Sequence, residues 1–167
     1  MNDADELIGE IAAIFDSHIE SLAAFERSLE LLCEEADWSY AEIWIPDETN
    51  RLSCLTCHWM DEKFEEFVAI TRVVRFGRGE GLPGRVWASG ESESIENLNV
   101  TSSFEFPRAS NASFVGLRHA YAVPIEHGDR FIGVLAAAAT VELSSEKPHR
   151  ITERFAHEIG EYIDQLT

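Results

Sequence analysis

The sequence is poor in cysteine and lysine and contains no long apolar run. Three of its 167 residues are cysteine, two are lysine (Lys63 and Lys147), and the longest apolar segment covers residues 131–139. A membrane-spanning helix needs about 20 apolar residues, so this segment is too short to cross a bilayer. The first residues show no basic segment followed by an apolar one, and the cysteine count is odd. We therefore expect a cytoplasmic protein with reduced thiols and no membrane partner.

Basic residues are scarce as a class. Lysine and arginine number 13 against 31 aspartates and glutamates, which gives a formal net charge of −18. Fourteen of the acids lie in residues 1–50, where Arg27 is the single base. A surface this negative repels phosphate backbones, so we expect no nucleic-acid partner.

The remaining composition is typical of a globular domain, with 45% hydrophobic and 26% charged residues. The length fits one domain. A domain of this size buries about 68–70% of the surface of its unfolded chain, so it folds without help from disulfides or metals. The six histidines show no metal-ligand spacing, and we expect no metal site.

Apolar residues recur at alternating steps of three and four through residues 3–36, which predicts one long helix. Its seam consists of Ile8, Ile11, Phe15, His18, Leu22, Phe25, Leu29 and Leu32. A last helix is predicted over residues 146–167, with the seam Phe155, Ile159, Tyr162 and Leu166. Apolar stripes must pack on something. We expect these helices to form a homodimer through Ile8, Phe15, Leu22, Phe155, Ile159 and Leu166.

Between these helices the apolar pattern changes to the alternation of strands. Residues 40–45 alternate, residues 46–50 have turn composition, and residues 51–59 are predicted as the returning strand of a hairpin. A second hairpin is predicted over residues 120–138. Short helices are predicted between the hairpins, at residues 61–70, 82–90 and 107–115. Strands joined by hairpins make an antiparallel sheet.

Five short motifs resemble, in order, those of GAF domains from bacterial sensor proteins. The motifs are FGRGEGLPGRVW at residues 76–87, FPRA at 106–109, GLR at 116–118, AVPI at 122–125 and GVL at 133–135. The resemblance covers about 60 residues at the level of motifs. In the order of elements it extends over roughly residues 20–167.

The resemblance implies an α+β fold of the GAF/PAS-like type. Its central antiparallel sheet has five or six strands, with helices packed on one face and a lid of loops and short helices on the other. Residues 1–167 are then a single GAF domain, with a dimerisation helix at 3–36, a sheet and pocket core at 38–142 and a signalling helix at 146–167. The implied role is sensory or regulatory, in signal transduction, fused to or acting on a kinase or another effector. The ligand and any cofactor stay open, because a fold does not fix them.

Aromatic residues cluster in the middle of the chain, where the resemblance places a ligand pocket. We expect Phe76, Trp87, Phe106, Arg108 and Tyr121 to contact the ligand. Because arginine recognises planar anions and aromatic rings recognise rings, the expected ligand is a small anionic or aromatic molecule.

Two further motifs match other kinds of site by spelling alone. The glycines at 79, 81 and 84 have the spacing of a dinucleotide fingerprint, but that fingerprint works in a parallel β-α-β unit, so we interpret them as a sharp turn. The segment CLTCH at residues 54–58 spells a covalent haem motif. Strand alternation predicts that Cys54 and Cys57 point to opposite faces, so we interpret them as packing residues.

No catalytic set is evident, and we expect no enzymatic activity. Free methionine sulfoxide reductases of this fold carry a reactive cysteine in the glycine loop, where this chain has LPG at 82–84. Bilin-binding relatives attach their chromophore in a region that corresponds to residues 107–111, which contain no cysteine. Three alternatives stay open: a small redox enzyme of the reductase type using Cys54 or Cys57, a non-covalent tetrapyrrole sensor, and a dimerisation module whose own side chains fill its pocket.

Overall fold

The structure, a computed structural model, describes residues 3–17 and 20–166. The elements in chain order are α1 (Asp3–Phe15), α2 (Ser21–Ala36), β1 (Tyr40–Pro46), β2 (Leu52–Trp59), α3 (Glu65–Thr71), β3 (Arg75–Phe76), α4 (Gly81–Ser89), β4 (Glu93–Ile95), α5 (Ala109–Phe114), β5 (His119–His127), β6 (Arg130–Ala139) and α6 (Lys147–Asp164). Over these ranges, no helix combines the length and the apolar character needed to cross a membrane.

The six strands form one antiparallel sheet in the order β3-β2-β1-β6-β5-β4. Both predicted hairpins are present, β1 with β2 and β5 with β6. In the first, the Asp47 carboxylate accepts hydrogen bonds from the backbone N–H groups of Thr49 and Arg51, at 2.8 and 3.3 Å. This side-chain turn, with Asn50 at φ 59°, explains how five polar residues reverse the chain. The predicted α+β fold class is confirmed.

Each side of the sheet carries its own apolar cluster. On one side, which we call the helix face, α1, α2 and α6 pack over Ile43, Val123 and Leu135. On the other, which we call the cup face, α3, α4, α5 and the connecting loops form a lid over Trp44 and other residues. Burial on both sides explains why the strands are almost continuously apolar.

The predicted single helix over residues 3–36 is wrong, because the chain forms two helices there. The first helix ends at Phe15, the Ser17 hydroxyl donates to the Ile14 carbonyl at 2.6 Å, and α2 starts at Ser21. Leu7 and Leu29, one from each helix, are buried in the same cluster. Of the predicted seam, Ile11 in α1 and Phe25, Leu29 and Leu32 in α2 are buried in this cluster, whereas Ile8 is half-buried and Leu22 is exposed. His18 lies outside the described residues.

Small side chains form the centre of the cup face. Ala120 and Ala122 of β5 and Ala136 and Ala138 of β6 all belong to the cluster on this side. The register places Ala120 opposite Ala138 and Ala122 opposite Ala136. The lid therefore approaches the sheet closely here, while bulky residues surround this alanine floor.

Candidate functional site

The cup face contains a buried ion pair, which we call the Glu42–Arg108 pair. Glu42 lies in the middle of β1, and Arg108 immediately precedes α5 in the lid. Arg108 Nη1 and Nη2 donate to Glu42 Oε2 and Oε1, each at 2.8 Å. The two side chains are only 2% and 3% exposed. This is the two-bond geometry in which arginine binds a carboxylate most strongly.

Two hydroxyl groups complete this polar network. Arg108 Nη1 also donates to Thr71 Oγ1 at 2.8 Å, and the Tyr40 hydroxyl donates to Glu42 Oε2 at 2.7 Å. Burial, reinforced by the Glu42 carboxylate, raises the pKa of Tyr40 well above its ordinary value. The phenol therefore stays protonated and keeps donating to the carboxylate.

Four aromatic rings surround the guanidinium. Its central carbon lies 4.9, 5.1, 5.2 and 5.5 Å from the ring centroids of Phe67, Phe106, Trp44 and Phe76, respectively. Distances under about 6 Å allow cation–π attraction, which is stronger in a desolvated site. The rings and the carboxylate together stabilise a charge that water does not reach.

Two buried donors beside the pair have no acceptor within the described part of the chain. They are Arg108 Nε and Trp44 Nε1. Buried polar atoms are nearly always hydrogen-bonded, so each such exception calls for an explanation. Chemically, these two N–H groups are the donors that the network of the Glu42–Arg108 pair leaves unused.

Of the five predicted ligand contacts, Phe76, Phe106 and Arg108 are brought together at the pair. Trp87 of α4 belongs to the same apolar cluster, where it stacks on Phe131 with centroids 5.8 Å apart. The Arg78 guanidinium covers its ring at 4.6 Å. Trp87 therefore belongs to the lid packing of the cup face.

The fifth predicted contact, Tyr121, is wrong. Its neighbours in β5, Ala120 and Ala122, face the cup, so strand alternation directs Tyr121 to the helix face. There its hydroxyl donates to Glu153 Oε1 at 2.5 Å, and its ring stacks on His149 at 3.9 Å. Burial and this hydrogen bond raise the pKa of Tyr121 to about 12.

The expected opposition of Cys54 and Cys57 is also wrong, because β2 contains a bulge. Trp44 pairs with Cys54 while Ile43 pairs with Thr56, so Leu55 is the extra residue. The bulge shifts the alternation by one residue. As a result both thiols lie on the cup face, Cys57 within its cluster and Cys54 packed against it.

The glycine-rich segment after β3 is a tight turn. Gly79 and Gly81 have positive φ values of 81° and 62°, and a Cβ at Gly84 would lie 2.2 Å from the Gly77 carbonyl oxygen. The Glu80 carboxylate stabilises the turn by accepting a hydrogen bond from the backbone N–H of Gly77 at 2.9 Å. Because the sheet is antiparallel, these glycines do not form a dinucleotide site.

A second polar site, at the edge of the helix face, was not predicted. His119 and His149 face each other with their Nε2 atoms 3.2 Å apart, beside a cleft of about 660 Å³ that Glu96 and Glu146 also line. Burial, and then the neighbouring imidazole, lower the pKa of His119. In the described ranges no three histidine, cysteine or acidic residues are arranged to hold a metal ion.

Sequence reasoning missed Glu42 and Thr71 as partners of Arg108. One signal was available, because Glu42 is an acid between Tyr40 and Trp44 on an otherwise apolar strand. Such a residue on a buried face needs a cation. The sequence separation of 66 residues concealed which cation it was.

Two of the predicted dimer contacts are wrong. Phe155 and Ile159 are completely buried within one chain, in the cluster of the helix face. The apolar stripe of α6 packs against the sheet of its own chain, so these side chains are not available to a second copy.

The other predicted dimer contacts lie nearer the surface. Ile8 and Phe15 are half-buried, and Phe15 stacks on Tyr162 with centroids 4.0 Å apart. Leu22 and Leu166 are 44% and 42% exposed. Dimerisation through these positions stays a prediction.

No protein-family model and no curated protein sequence matches the chain. The GAF domain of Acinetobacter phosphoenolpyruvate-protein phosphotransferase superposes with a TM-score of 0.75 at 16% identity, covering 99% of this chain and 95% of that one. A GAF sensor protein from Burkholderia vietnamiensis gives 0.71 at 14% identity, covering 97% and 94%. Free methionine-R-sulfoxide reductase from Neisseria meningitidis, in complex with its substrate, gives 0.68 at 16% identity, covering 98% and 92%.

These comparisons overturn the expectation that the chain has no enzymatic activity. Several matched structures are free methionine-R-sulfoxide reductases, at 12–16% identity, so enzymes and sensor domains share this fold. Identities this low establish the architecture and not the activity. The resemblance to GAF domains, first seen in five short motifs, is confirmed for the architecture: the chain has the GAF fold.

Proposed function

We propose that the chain is a sensory or regulatory domain of signal transduction that binds a small aromatic or anionic molecule at its cup face. The Glu42–Arg108 pair carries this proposal, because its charges lie in an apolar interior. Desolvation costs several kcal/mol per ion, and apolar side chains of similar volume are often as stabilising as a buried ion pair, or more so. Stability alone therefore does not explain charges at this position, whereas a polar ligand contact does.

The donors beside the pair favour a ligand with an acceptor oxygen and a flat ring. Arg108 Nε and Trp44 Nε1 have no acceptor among the described residues, while the Nη atoms of Arg108 are occupied by Glu42 and Thr71. An acceptor oxygen would receive these N–H groups, and the surrounding rings would stack on an aromatic ligand. Entry requires the lid to move, since the site is closed by its own side chains.

A route from ligand to effector follows from the position of the pair. Arg108 belongs to the lid and Glu42 to β1, which pairs with β6 in the centre of the sheet. We therefore expect a change at the pair to be transmitted through β1 and β6 to α2 and α6. We place the output at a homodimer formed through these helices, with Leu22 and Leu166 as contacts, and a ligand that prefers one arrangement shifts the population of both.

Native mass spectrometry of the purified chain tests the ligand and the dimer together. We expect a species of two 18.8 kDa chains that retains a small molecule. Trp44→Phe, which removes the indole N–H, should lower the retained fraction about tenfold, the value of one hydrogen bond. Trp59→Phe, a half-buried tryptophan at the end of β2, is the matched control and should leave it unchanged.

Two results contradict the proposal separately. If only single chains are observed at every concentration, the proposed dimer is wrong. If the spectrum shows no ligand and neither benzoate nor benzamide raises the melting temperature, the proposed binding site is wrong. Benzoate is charged and benzamide is its neutral analogue of the same shape, so a difference between them decides between an anionic and an aromatic ligand.

A second candidate function is a small thiol-dependent reductase, which the position of Cys54 and Cys57 on the cup face favours. Two thiols can reduce a sulfoxide to a thioether and water while they form a disulfide. The assay is the loss of free methionine sulfoxide in the presence of dithiothreitol. Activity that Cys54→Ser and Cys57→Ser abolish and Cys33→Ser preserves supports this candidate, and no turnover by the wild type excludes it.

A further inference from the structure

The bulge in β2 creates a thiol pair that strand alternation alone would not produce. Trp44 and Glu42 are two residues apart on β1, and their partners across the ladder are Cys54 and Cys57. Both cysteines therefore stand on the same face, next to each other. Their thiols are near enough for each to shift the pKa of the other.

The two thiols differ in environment. Cys57 is buried, and Cys54 is partly exposed and also donates to the Thr56 carbonyl at 3.3 Å. The interaction with Cys57, followed by burial, raises the pKa of Cys54. The interaction with Cys54 lowers the pKa of Cys57, although burial and the Glu42 carboxylate act in the opposite direction. Cys57 is thus the more acidic member, and a thiolate is the reactive form of cysteine.

We propose that Cys54 and Cys57 form a redox-active dithiol that hydroperoxides oxidise to an intramolecular disulfide. This proposal rests on the geometry of β2 and holds whether or not a ligand binds the Glu42–Arg108 pair. Cys33 takes no part, because it is buried on α2 at the helix face and burial raises the pKa of its thiol.

The reaction proceeds in two balanced steps. The Cys57 thiolate attacks one peroxide oxygen, the O–O bond breaks, and the products are a Cys57 sulfenic acid and, after proton uptake, an alcohol or water. The Cys54 sulfur then attacks the Cys57 sulfur, the S–O bond breaks, and the hydroxyl leaves as water with the proton of Cys54. Two thiols and one hydroperoxide thus become one disulfide, one alcohol and one water. A dithiol reductant reverses the change.

We expect formation of the Cys54–Cys57 disulfide to disturb the Glu42–Arg108 pair. Cys57 is the ladder partner of Glu42 and lies in the same apolar cluster as Tyr40, which donates to Glu42. A bridge within one strand also strains the bulge, and strained disulfides are easily reduced. These are the properties of a reversible switch, in contrast to those of a permanent structural crosslink.

Trypsin separates the thiols in a way that makes the test direct. Cleavage after Arg51 and Lys63 places Cys54 and Cys57 on the peptide 52–63, while Cys33 lies on the peptide 28–51. The folded protein is treated with hydrogen peroxide, quenched with N-ethylmaleimide in guanidinium chloride so that buried thiols are labelled too, and digested. Exposed Met60 takes up oxygen on the peptide 52–63. The disulfide is therefore scored as the loss of both maleimide adducts and their return when dithiothreitol precedes the quench.

We expect the peptide 52–63 to lose both adducts at least about ten times faster than the peptide 28–51 loses its one. Cys33→Ser should behave as the wild type, and Cys54→Ser should give a sulfenic acid at Cys57 without a disulfide. Equal rates for the two peptides, a disulfide between chains, or direct conversion of Cys57 to a sulfinic acid in the wild type would each overturn the proposal. The wild type and Cys33→Ser decide the question even if the other variants fail to fold.

Discussion

The two faces of the sheet are both buried, but they are built from different chemistry. The helix face is aliphatic along most of its length, with residues such as Ile43, Leu135 and Ile159 at zero exposure. The cup face buries an ion pair, a phenol and a thiol among its aromatic rings. One strand, β1, supplies both sides by simple alternation.

From this difference we expect changes at the cup face to affect the proposed function and changes at the helix face to affect mainly stability. Aliphatic packing against three helices stabilises the sheet by removing apolar surface from water. Desolvated charges add little net stability and make a structure intolerant of losing one partner. Burying the polar groups of the cup face therefore costs more desolvation free energy than burying the helix face. Removing one partner of the ion pair should lower stability more than a substitution at an equally buried position of the helix face.

The largest expected effect comes from breaking the ion pair. Arg108→Met leaves Glu42 buried without a cation and should lower the free energy of unfolding by about 3–5 kcal/mol. Glu42→Gln combined with Arg108→Met should recover most of this loss, because no charge is then stranded. Urea unfolding followed by tryptophan fluorescence measures both. Equal losses in the single and double variants would show that the two charges do not interact.

A smaller effect is expected from the helix face. Ile159→Val removes one buried methyl group and should lower the free energy of unfolding by about 1 kcal/mol. The rate at which hydrogen peroxide oxidises Cys54 and Cys57 should not change, because that site lies across the sheet. A changed oxidation rate in this variant would contradict the separation of the two faces.

The pH dependence of the free energy of unfolding that arises from the helix face should be a still smaller effect than that of Ile159→Val. Burial and His149 hold the pKa of His119 below its unfolded value of about 6.5, although Glu96 and Glu146 oppose this. The neutral imidazole therefore contributes stability above about pH 6.5, which is lost as the pH falls through the folded pKa.

His119→Gln should accordingly flatten the loss of stability in urea unfolding between about pH 7.5 and about pH 5.5. The exposed His157 of α6 provides the control, since His157→Gln should retain the slope of the wild type. Parallel slopes for wild type and His119→Gln would show that His119 does not titrate in this range.

The smallest effect on stability should come from the surface. Leu22→Glu at an exposed position of α2 should change the free energy of unfolding by less than about 0.5 kcal/mol. It should nevertheless shift the proposed dimer toward single chains in analytical ultracentrifugation, because it places a charge in the contact. Val73→Glu, which is 71% exposed on the lid side, should leave the association unchanged. Equal behaviour of both variants would remove Leu22 from the interface.

Much of the architecture could be predicted from the sequence, because turn residues and alternation are local. The two hairpins, the short helices of the lid and α6 all follow from such signals. The division between α1 and α2 does not, since a heptad stripe is the same in one long helix as in two that pack together.

The site was harder to predict, because its features depend on long-range pairing. Phe76, Phe106 and Arg108 could be assigned to the cup face from motifs alone. The face of Tyr121 could not be predicted, because both faces of β5 are buried. Alternation separates the residues of β5 into two sets but does not indicate which set faces the cup. The bulge that brings Cys54 beside Cys57 depends on the register with β1, which no local pattern in β2 records.

The alanine floor of the cup face has a consequence for how the domain diversifies. Where side chains end at Cβ, the distance between lid and sheet is set almost entirely by backbone atoms. A single exchange of Ala136 or Ala138 for valine would wedge the lid outward, whereas no exchange can bring it closer except glycine. Substitutions at the centre of the cup face are thus expected to move the lid mainly outward, since glycine is the only residue smaller than alanine.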